Sequence, residues 1–188
     1  MKVTVIWSSP NPDGLTAAAK ESLLRGLAEK NAEIEEFCLN RMSLKHCAAC
    51  GNGWGSCREE GKCALKDDFE GIYESLVHSD GFIFVSAVYW SDMTEAMKAF
   101  VDRLRRCEAV HNHFLQGKRG LLVACAGGTG NGTLECLEQM EKALRHMSMR
   151  AYDRLPVTRF NRDYMLPALE KAGSLYADRL VTGFDMYY

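Results

Sequence analysis

Four cysteines crowd one short stretch of the chain: Cys47, Cys50, Cys57 and Cys63, spaced C-x2-C-x6-C-x5-C. Thiolates are soft ligands, and four on one flexible loop can hold an iron–sulfur cluster or a structural zinc. Free thiols without metal are the third reading. The chain has 8 cysteines, which in a reducing compartment serve more often as ligands or free thiols than as disulfides. Cys38, Cys107, Cys125 and Cys136 fall inside expected strands and helices and read as small core residues.

Three further segments combine chemistry-bearing residues with turn-forming ones. Ser8-Ser9-Pro10-Asn11-Pro12-Asp13-Gly14-Leu15-Thr16 offers hydroxyls, a glycine and the free N–H groups of a helix start. That is an anion pocket needing no Lys or Arg. The plainer reading is a strand-to-helix turn with Asp13 as the cap. Ser86-Ala87-Val88-Tyr89-Trp90-Ser91-Asp92-Met93-Thr94 sets two large aromatics side by side at a strand end, where a flat heteroaromatic ring would cover them. A neighbouring loop or a subunit interface would do so equally well. Ala126-Gly127-Gly128-Thr129-Gly130-Asn131-Gly132 lets backbone approach a ligand edge. Two other groups yield plainer readings. His111-Asn112-His113 lacks a third ligand and reads as solvated or interfacial, and Asp67-Asp68 reads as cap and dipole complement at a helix start.

The elements that must hold these loops follow from hydrophobic periodicity. Residues 3–7, 82–85 and 121–126 are continuous apolar runs, as suits strands buried on both faces of a parallel sheet. Residues 34–38 read as a half-polar edge strand, and 149–157 as a last strand. Between them lie helical patterns, exemplified by Leu15, Ala19, Leu23 and Leu27, by Met97, Phe100, Val101 and Leu104, and by a second helix over 67–77. Strand and helix alternate five times. The expectation is one domain over residues 1–188: a three-layer, doubly wound α/β fold with a parallel five-stranded sheet in the flavodoxin-like order 2-1-3-4-5, plus a Cys-rich loop at 45–66. In such a sheet the ligand lies beyond the carboxyl ends of the strands. All three loops leave those ends, and the cysteine loop, following the second strand, is expected at their rim with Trp54 in it.

Composition narrows the function. With 23 Lys+Arg against 25 Asp+Glu, net charge −2, the chain lacks the basic field that nucleic-acid binding draws on. No window approaches the ~20 apolar residues of a membrane span. The first residues read as a strand rather than a leader, so the expected location is the cytoplasm.

Together the loops resemble the NADPH-dependent FMN reductase family, within it the iron–sulfur flavoprotein-like branch. Ser9, Pro10 and Thr16 match the family's phosphate loop, with Ser8 for its glycine and Asn11 for its basic residue. Val88-Tyr89-Trp90 and Met93-Thr94, followed by residues 98–103, match its flavin-side segment, with Ala87 for the usual proline. Gly127-Gly128 match its third flavin contact. The resemblance covers most of residues 1–145. It implies FMN held by Ser9, Pro10, Asn11, Thr16, Ala87, Val88, Tyr89, Trp90, Met93, Gly127, Gly128, Thr129 and Gly130, with no catalytic side chain because the cofactor carries the chemistry. The branch also holds a compact C-x2-C-x2-C-x5-C cluster at the position of Cys47, Cys50, Cys57 and Cys63; here the middle gap is four residues longer.

The implied activity is an FMN-dependent NAD(P)H oxidoreductase, passing electrons to a small-molecule acceptor such as a quinone or free flavin. The implied assembly is a homodimer or homotetramer with Tyr89, Trp90 and residues 111–114 near the interface. The alternative is an FMN electron carrier, with or without a cluster. A phospho-receiver domain shares the topology but needs an acceptor Asp where this chain has Val85-Ser86-Ala87.

Overall fold

Neighbouring side chains of each apolar run go to opposite faces of one sheet, and helices cover both faces. Val3, Val5, Trp7, Ile83, Val85, Leu121, Val123 and Cys125 pack on one side. Ile6, Phe82, Phe84, Leu122 and Ala124 pack on the other. This double burial leaves the central strands no polar face, which is why they read as continuous rather than alternating.

The computed structural model describes residues 1–184, so the last four residues of the expected domain lie outside the described ones. The strands are β1 (Lys2–Ser8), β2 (Glu33–Cys38), β3 (Gly81–Tyr89), β4 (Asp92–Met93), β5 (Arg119–Ala126) and β6 (Arg150–Thr158). The helices are α1 (Leu15–Ala28), the short α2 (Ser56–Glu59), α3 (Phe69–His78), α4 (Glu95–Cys107), α5 (Thr133–His146) and α6 (Arg162–Thr182). A π-helical turn, Glu108–Asn112, follows α4. The main sheet runs β2-β1-β3-β5-β6, all parallel. Counted without the two-residue β4, that is the expected flavodoxin-like order.

The crossover helices fall where the periodicity puts them. The strand β4 itself was not expected: it turns back from β3 and pairs with it antiparallel, Val88 opposite Met93 and Tyr89 opposite Asp92. Helix α3 starts at Phe69, two residues after the expected boundary. Helices α1 and α6 share one face of the sheet and approach until their backbones nearly touch. A Cβ on Gly26 would lie 1.9 Å from the Glu170 carbonyl oxygen, and one on Gly173 would lie 2.5 Å from that of Leu23. On the other face, α3, α4 and α5 bury Ile72, Leu76, Phe100, Leu104, Leu137 and Met140. The carboxyl ends of β1, β3 and β5 therefore open side by side between these layers.

Candidate functional site

The loop after β1 ends in a bare helix start. Gly14 is the N-cap of α1, in extended conformation, and no side chain caps the helix. Asp13 was expected to cap it; the glycine takes that position and leaves Asp13 exposed one residue outside. No acidic residue stands in the first turn, so first-turn N–H groups and the positive end of the helix dipole face outward without a competing carboxylate. The Asn11 backbone N–H donates to the Ser9 hydroxyl at 3.2 Å, and the Asp13 N–H donates to Asn11 Oδ1 at 3.3 Å. Pro10 is exposed on the same bend. Thr16 is buried, its hydroxyl in hydrogen-bond reach of the Cys125 thiol, which burial pushes up to about 12. An uncapped helix start with hydroxyls beside it has the chemistry of an anion pocket.

A chain of hydroxyls joins this loop to the next. Ser8 donates to Asn40 Oδ1 at 2.8 Å and also meets the Thr94 hydroxyl. Thr94 caps α4, accepting from the Met97 N–H at 3.2 Å, while its own N–H donates to Ser86 Oγ at 3.1 Å. Between Ser86 and Thr94 the chain makes the β3–β4 hairpin, with Trp90 and Ser91 both left-handed at φ 49° and 65°. Such a turn favours Asn and Gly. A tryptophan there carries backbone strain of order 1 kcal/mol or more, a feature that gathers at functional sites. Val88, Tyr89, Trp90 and Met93 line one open pocket with Glu95 and Lys98. Ala87, the preceding residue of β3, is half-buried. The Trp90 ring is fully exposed.

The third loop packs onto that hairpin. Gly132, the N-cap of α5, has φ 84°, and a Cβ there would lie 2.7 Å from Ser91 Cα. Only glycine satisfies both constraints. Gly127, Gly128 and Thr129 are exposed, and a Cβ on Gly127 or Gly128 would meet nothing within 4 Å. Gly130 sits lower, near Phe160 and Thr158. The structure thus brings the three loops into one region through the Ser8–Thr94, Thr16–Cys125 and Ser91–Gly132 contacts. An uncapped helix start lies at one end and open glycine backbone at the other. Those features fit a phosphate and a flat ring edge.

The cysteine loop is seated elsewhere than the rim. Cys47, Cys50, Cys57 and Cys63 line a single small cavity whose wall is Arg103, Arg106 and Cys107 of α4. Arg103 lies nine residues beyond Thr94, roughly 13 Å down the helix axis. The cavity therefore lies on the flank of α4, not over the mouth of the three loops. The cause is a set of polar anchors. Arg106 donates to the Gly53 carbonyl and stacks on Trp54 at 4.8 Å, so Trp54 is pinned to α4 instead of forming a lid. Asn112 donates to the Gly61 carbonyl at 2.7 Å. Arg103 closes the neck, donating to Asp67 at 2.7 and 2.8 Å and to the Lys45 carbonyl at 3.0 Å.

Asp67 also accepts from the backbone N–H groups of Lys45 and Phe69, and Asp68 accepts from Ser43. Burial alone would push the Asp67 carboxyl up; the Arg103 fork and the two N–H groups outweigh it and hold it at about 2. Cys107 is buried as a core residue should be, yet it faces the same cavity beside Cys63 and Cys57, and burial pushes its thiol up to about 12. Among the described residues no three His, Cys, Asp or Glu side chains converge tightly enough to hold a metal ion, so the thiols frame the cavity without closing on its centre. All eight cysteines are free. The donor set is nonetheless all sulfur, and Arg103 Nε in the wall is a buried donor without a partner. Both features fit an iron–sulfur cluster, whose sulfur atoms accept such N–H bonds.

The sequence model of NADPH-dependent FMN reductases matches residues 1–158. The chain belongs to that family. FMN-dependent oxidoreduction is the chemistry of the family. An iron–sulfur flavoprotein of Methanocaldococcus jannaschii is 36% identical over 135 residues, 72% of this chain and 66% of the relative. A second from the same organism is 31% identical over 140 residues, 74% of this chain and 69% of the relative. An iron–sulfur flavoprotein of Archaeoglobus fulgidus is 28% identical over 130 residues, 69% of this chain. The chain spans 56% of that relative, so these proteins extend well beyond the matched part. Among solved structures, an NAD(P)H:quinone oxidoreductase from Methanothermobacter marburgensis superposes with a TM-score of 0.71, covering 100% of this chain and 98% of that one at 18% identity. An archaeal flavodoxin gives 0.64 over 96% of this chain and 99% of its own, also at 18%. At that identity both likenesses are of fold.

Arg106 and Glu108 carry no reading in the sequence; Asp67 reads there as a helix cap, Asn112 as solvated or interfacial and Arg103 as the end of a flavin-side segment, whereas all three hold the cysteine loop. The one signal for Arg103 is its position three residues after Phe100, on the buried stripe of an otherwise charged helix.

Proposed function

We propose that the protein is an FMN-dependent NAD(P)H oxidoreductase that delivers electrons to a small acceptor such as a quinone or free flavin. The observation that carries this reading is the α1 start, uncapped and free of acidic side chains, facing the same region as the open Gly127-Gly128 backbone. FMN, when bound, supplies the exchange of electrons between nicotinamide and acceptor. The chain's own residues do the rest. Ser9, Asn11, Thr16 and the first-turn N–H groups hold the phosphate. Ala87, Val88, Tyr89, Trp90 and Met93 flank one side of the ring, and Gly127, Gly128, Thr129 and Gly130 admit its edge. Pro10 stiffens the phosphate loop. No side chain is asked to move a proton. Cys47, Cys50, Cys57 and Cys63 would hold an iron–sulfur cluster. Eight cysteines without a disulfide among them suit the reducing cytoplasm.

The fully exposed Trp90, with Tyr89 and Phe114 also exposed, supports a homodimer or homotetramer in which a second copy covers the hairpin. Sedimentation of the FMN-loaded protein at micromolar concentration tests that, and a monomer would contradict it. The all-sulfur cavity favours one second reading, an electron carrier working through FMN and a cluster to protein partners.

Turnover separates the two. FMN-loaded protein should oxidise NADH or NADPH steadily with a small quinone or free flavin as acceptor. A carrier would show no multiple turnover with either, yet would pass single electrons to a redox protein. Iron and sulfide analysis of anaerobically prepared protein tests the cluster, and zinc alone would replace it with a structural site.

A further inference from the structure

The neck of the cysteine loop is built around one buried arginine. The Arg103 side chain and that of Asp67 are both fully buried. Two of the guanidinium's arms are committed: one to Asp67 and the Lys45 carbonyl, the other to Asp67. Lys45 stands two residues before Cys47, and Asp67 four residues after Cys63. The guanidinium thus fixes both ends of the loop at one point. It also lies 4.3 Å over the Phe69 ring, so its plane cannot swing. Held this way, Arg103 shares the cavity wall with the Cys63 thiol, and Nε remains a buried donor with no partner. Leaving a buried donor unpaired costs about 1–3 kcal/mol. A group that accepts from it would remove that cost.

We propose that Arg103 is a positioning and tuning residue for a cluster in this cavity: it clamps the loop neck and donates N–H bonds to the Cys63 sulfur and to the cluster, favouring the reduced form. The inference rests on the cluster reading above. The physics is simple. Reduction adds one electron, and so one negative charge, to the cluster and its thiolates. No bond is made or broken, and the electron comes from a flavin in the protein or from dithionite in the test. N–H donors and a fixed cation beside the sulfurs stabilise the extra charge, which raises the reduction potential. The Asp67 carboxylate neutralises the net charge of the pair, but it sits on the guanidinium's far arms, so the positive end of the pair and its unpaired N–H stand beside the cavity.

The test compares full-length protein, reconstituted with iron and sulfide without oxygen, in three forms: wild type, Arg103→Lys, and the double change Arg103→Met with Asp67→Asn. The double change avoids stranding a buried carboxylate, which by itself can unfold a protein. Iron per chain and the cluster midpoint from a dithionite titration followed by electron paramagnetic resonance are the readouts. Wild-type iron content is expected in both variants. The midpoint should move to lower potential in each, further in the double variant, which has no donor at position 103. Unchanged midpoints at full iron content would overturn the tuning role. Loss of iron from both variants would overturn it too, leaving Arg103 a clamp only. A wild type that takes up no iron would overturn the cluster reading and this inference together, a failure seen before any variant is made.

Discussion

Arg103 and Asp67 meet as a two-pronged ion pair, Nη1 to Oδ2 at 2.7 Å and Nη2 to Oδ1 at 2.8 Å, with both side chains sealed from solvent. The pair joins the second half of α4 to the exit of the cysteine loop, 36 residues away in sequence. Removing one partner of such a pair strands a buried charge. Asp67→Ala is therefore expected to destabilise the protein by about 3–5 kcal/mol. A urea-unfolding series comparing Asp67→Ala with wild type checks this, and a loss below 1 kcal/mol would show that the neck is not held by this pair.

The same pair sets an acid limb. Asp67 is held at about 2 in the folded protein, against an ordinary 3.8. Its folded value is the lower one, so the unfolded chain takes up the proton first as pH falls. The contribution is complete above pH 4 and drains away between about 4 and about 2. It is of order 2 kcal/mol. Unfolding free energies of wild type and Asp67→Asn, measured from pH 5 to pH 2, should converge on the acid side by that amount. Parallel curves would contradict the assignment.

Thr16→Ala is expected to weaken FMN binding by about 1–2 kcal/mol, the scale of one hydrogen bond to a charged group. Because Thr16 is buried beside Cys125, the FMN-free melting temperature must be recorded with the titration. Unchanged affinity in a folded variant would move the phosphate off this loop.

Two glycines in the third loop separate cofactor space from folding. A side chain on Gly128 would meet nothing within 4 Å, whereas one on Gly132 would meet the Ser91 backbone at φ 84°. Gly128→Val should melt like wild type and lose at least tenfold in FMN affinity. Gly132→Ala should lose about 1–3 kcal/mol of stability even without FMN. Thermal melts with and without FMN distinguish them, and a destabilised Gly128→Val would contradict the open edge.

Tyr73 donates to the fully buried Glu108 carboxylate, which also accepts from the Leu115 N–H at 2.8 Å, and accepts from Asn112 at 2.8 Å. Tyr73→Phe removes a donor from a buried charge at no cost in ring volume. Destabilisation of about 1–3 kcal/mol is expected, with faster hydrogen exchange in the cysteine loop because Asn112 also holds Gly61. Wild-type stability in that variant would show the network to be idle.

The parallel sheet was legible because burial on both faces leaves residues 3–7, 82–85 and 121–126 apolar but for Thr4, whose buried hydroxyl is paired with Ser75. The phosphate loop was legible because hydroxyls and a glycine at a strand-to-helix junction have few other uses. What escaped was long-range pairing. Asp67 looks like a helix cap, but Asp68 takes the N-cap position; Asp67 accepts from the Phe69 N–H from one residue outside, and its main partner sits on α4. Among Lys98, Arg103, Arg105 and Arg106, the one local mark of Arg103 is its place on the buried stripe, three residues after Phe100. The β3–β4 hairpin was missed because Trp90-Ser91 lacks the Asn-Gly signature of its turn. The cysteine loop was expected at the loop rim because strand order fixes only where it begins. Arg103, Arg106 and Asn112 fix where it ends.

The most direct test is a titration of metal-free and fully reconstituted protein with FMN, followed without oxygen by NADH or NADPH. The expected result is one FMN per chain, loss of its visible absorption on adding at least one of the two nicotinamides, and its return on adding a quinone. No FMN retained at micromolar concentration, or bound FMN that neither nicotinamide reduces, would contradict it.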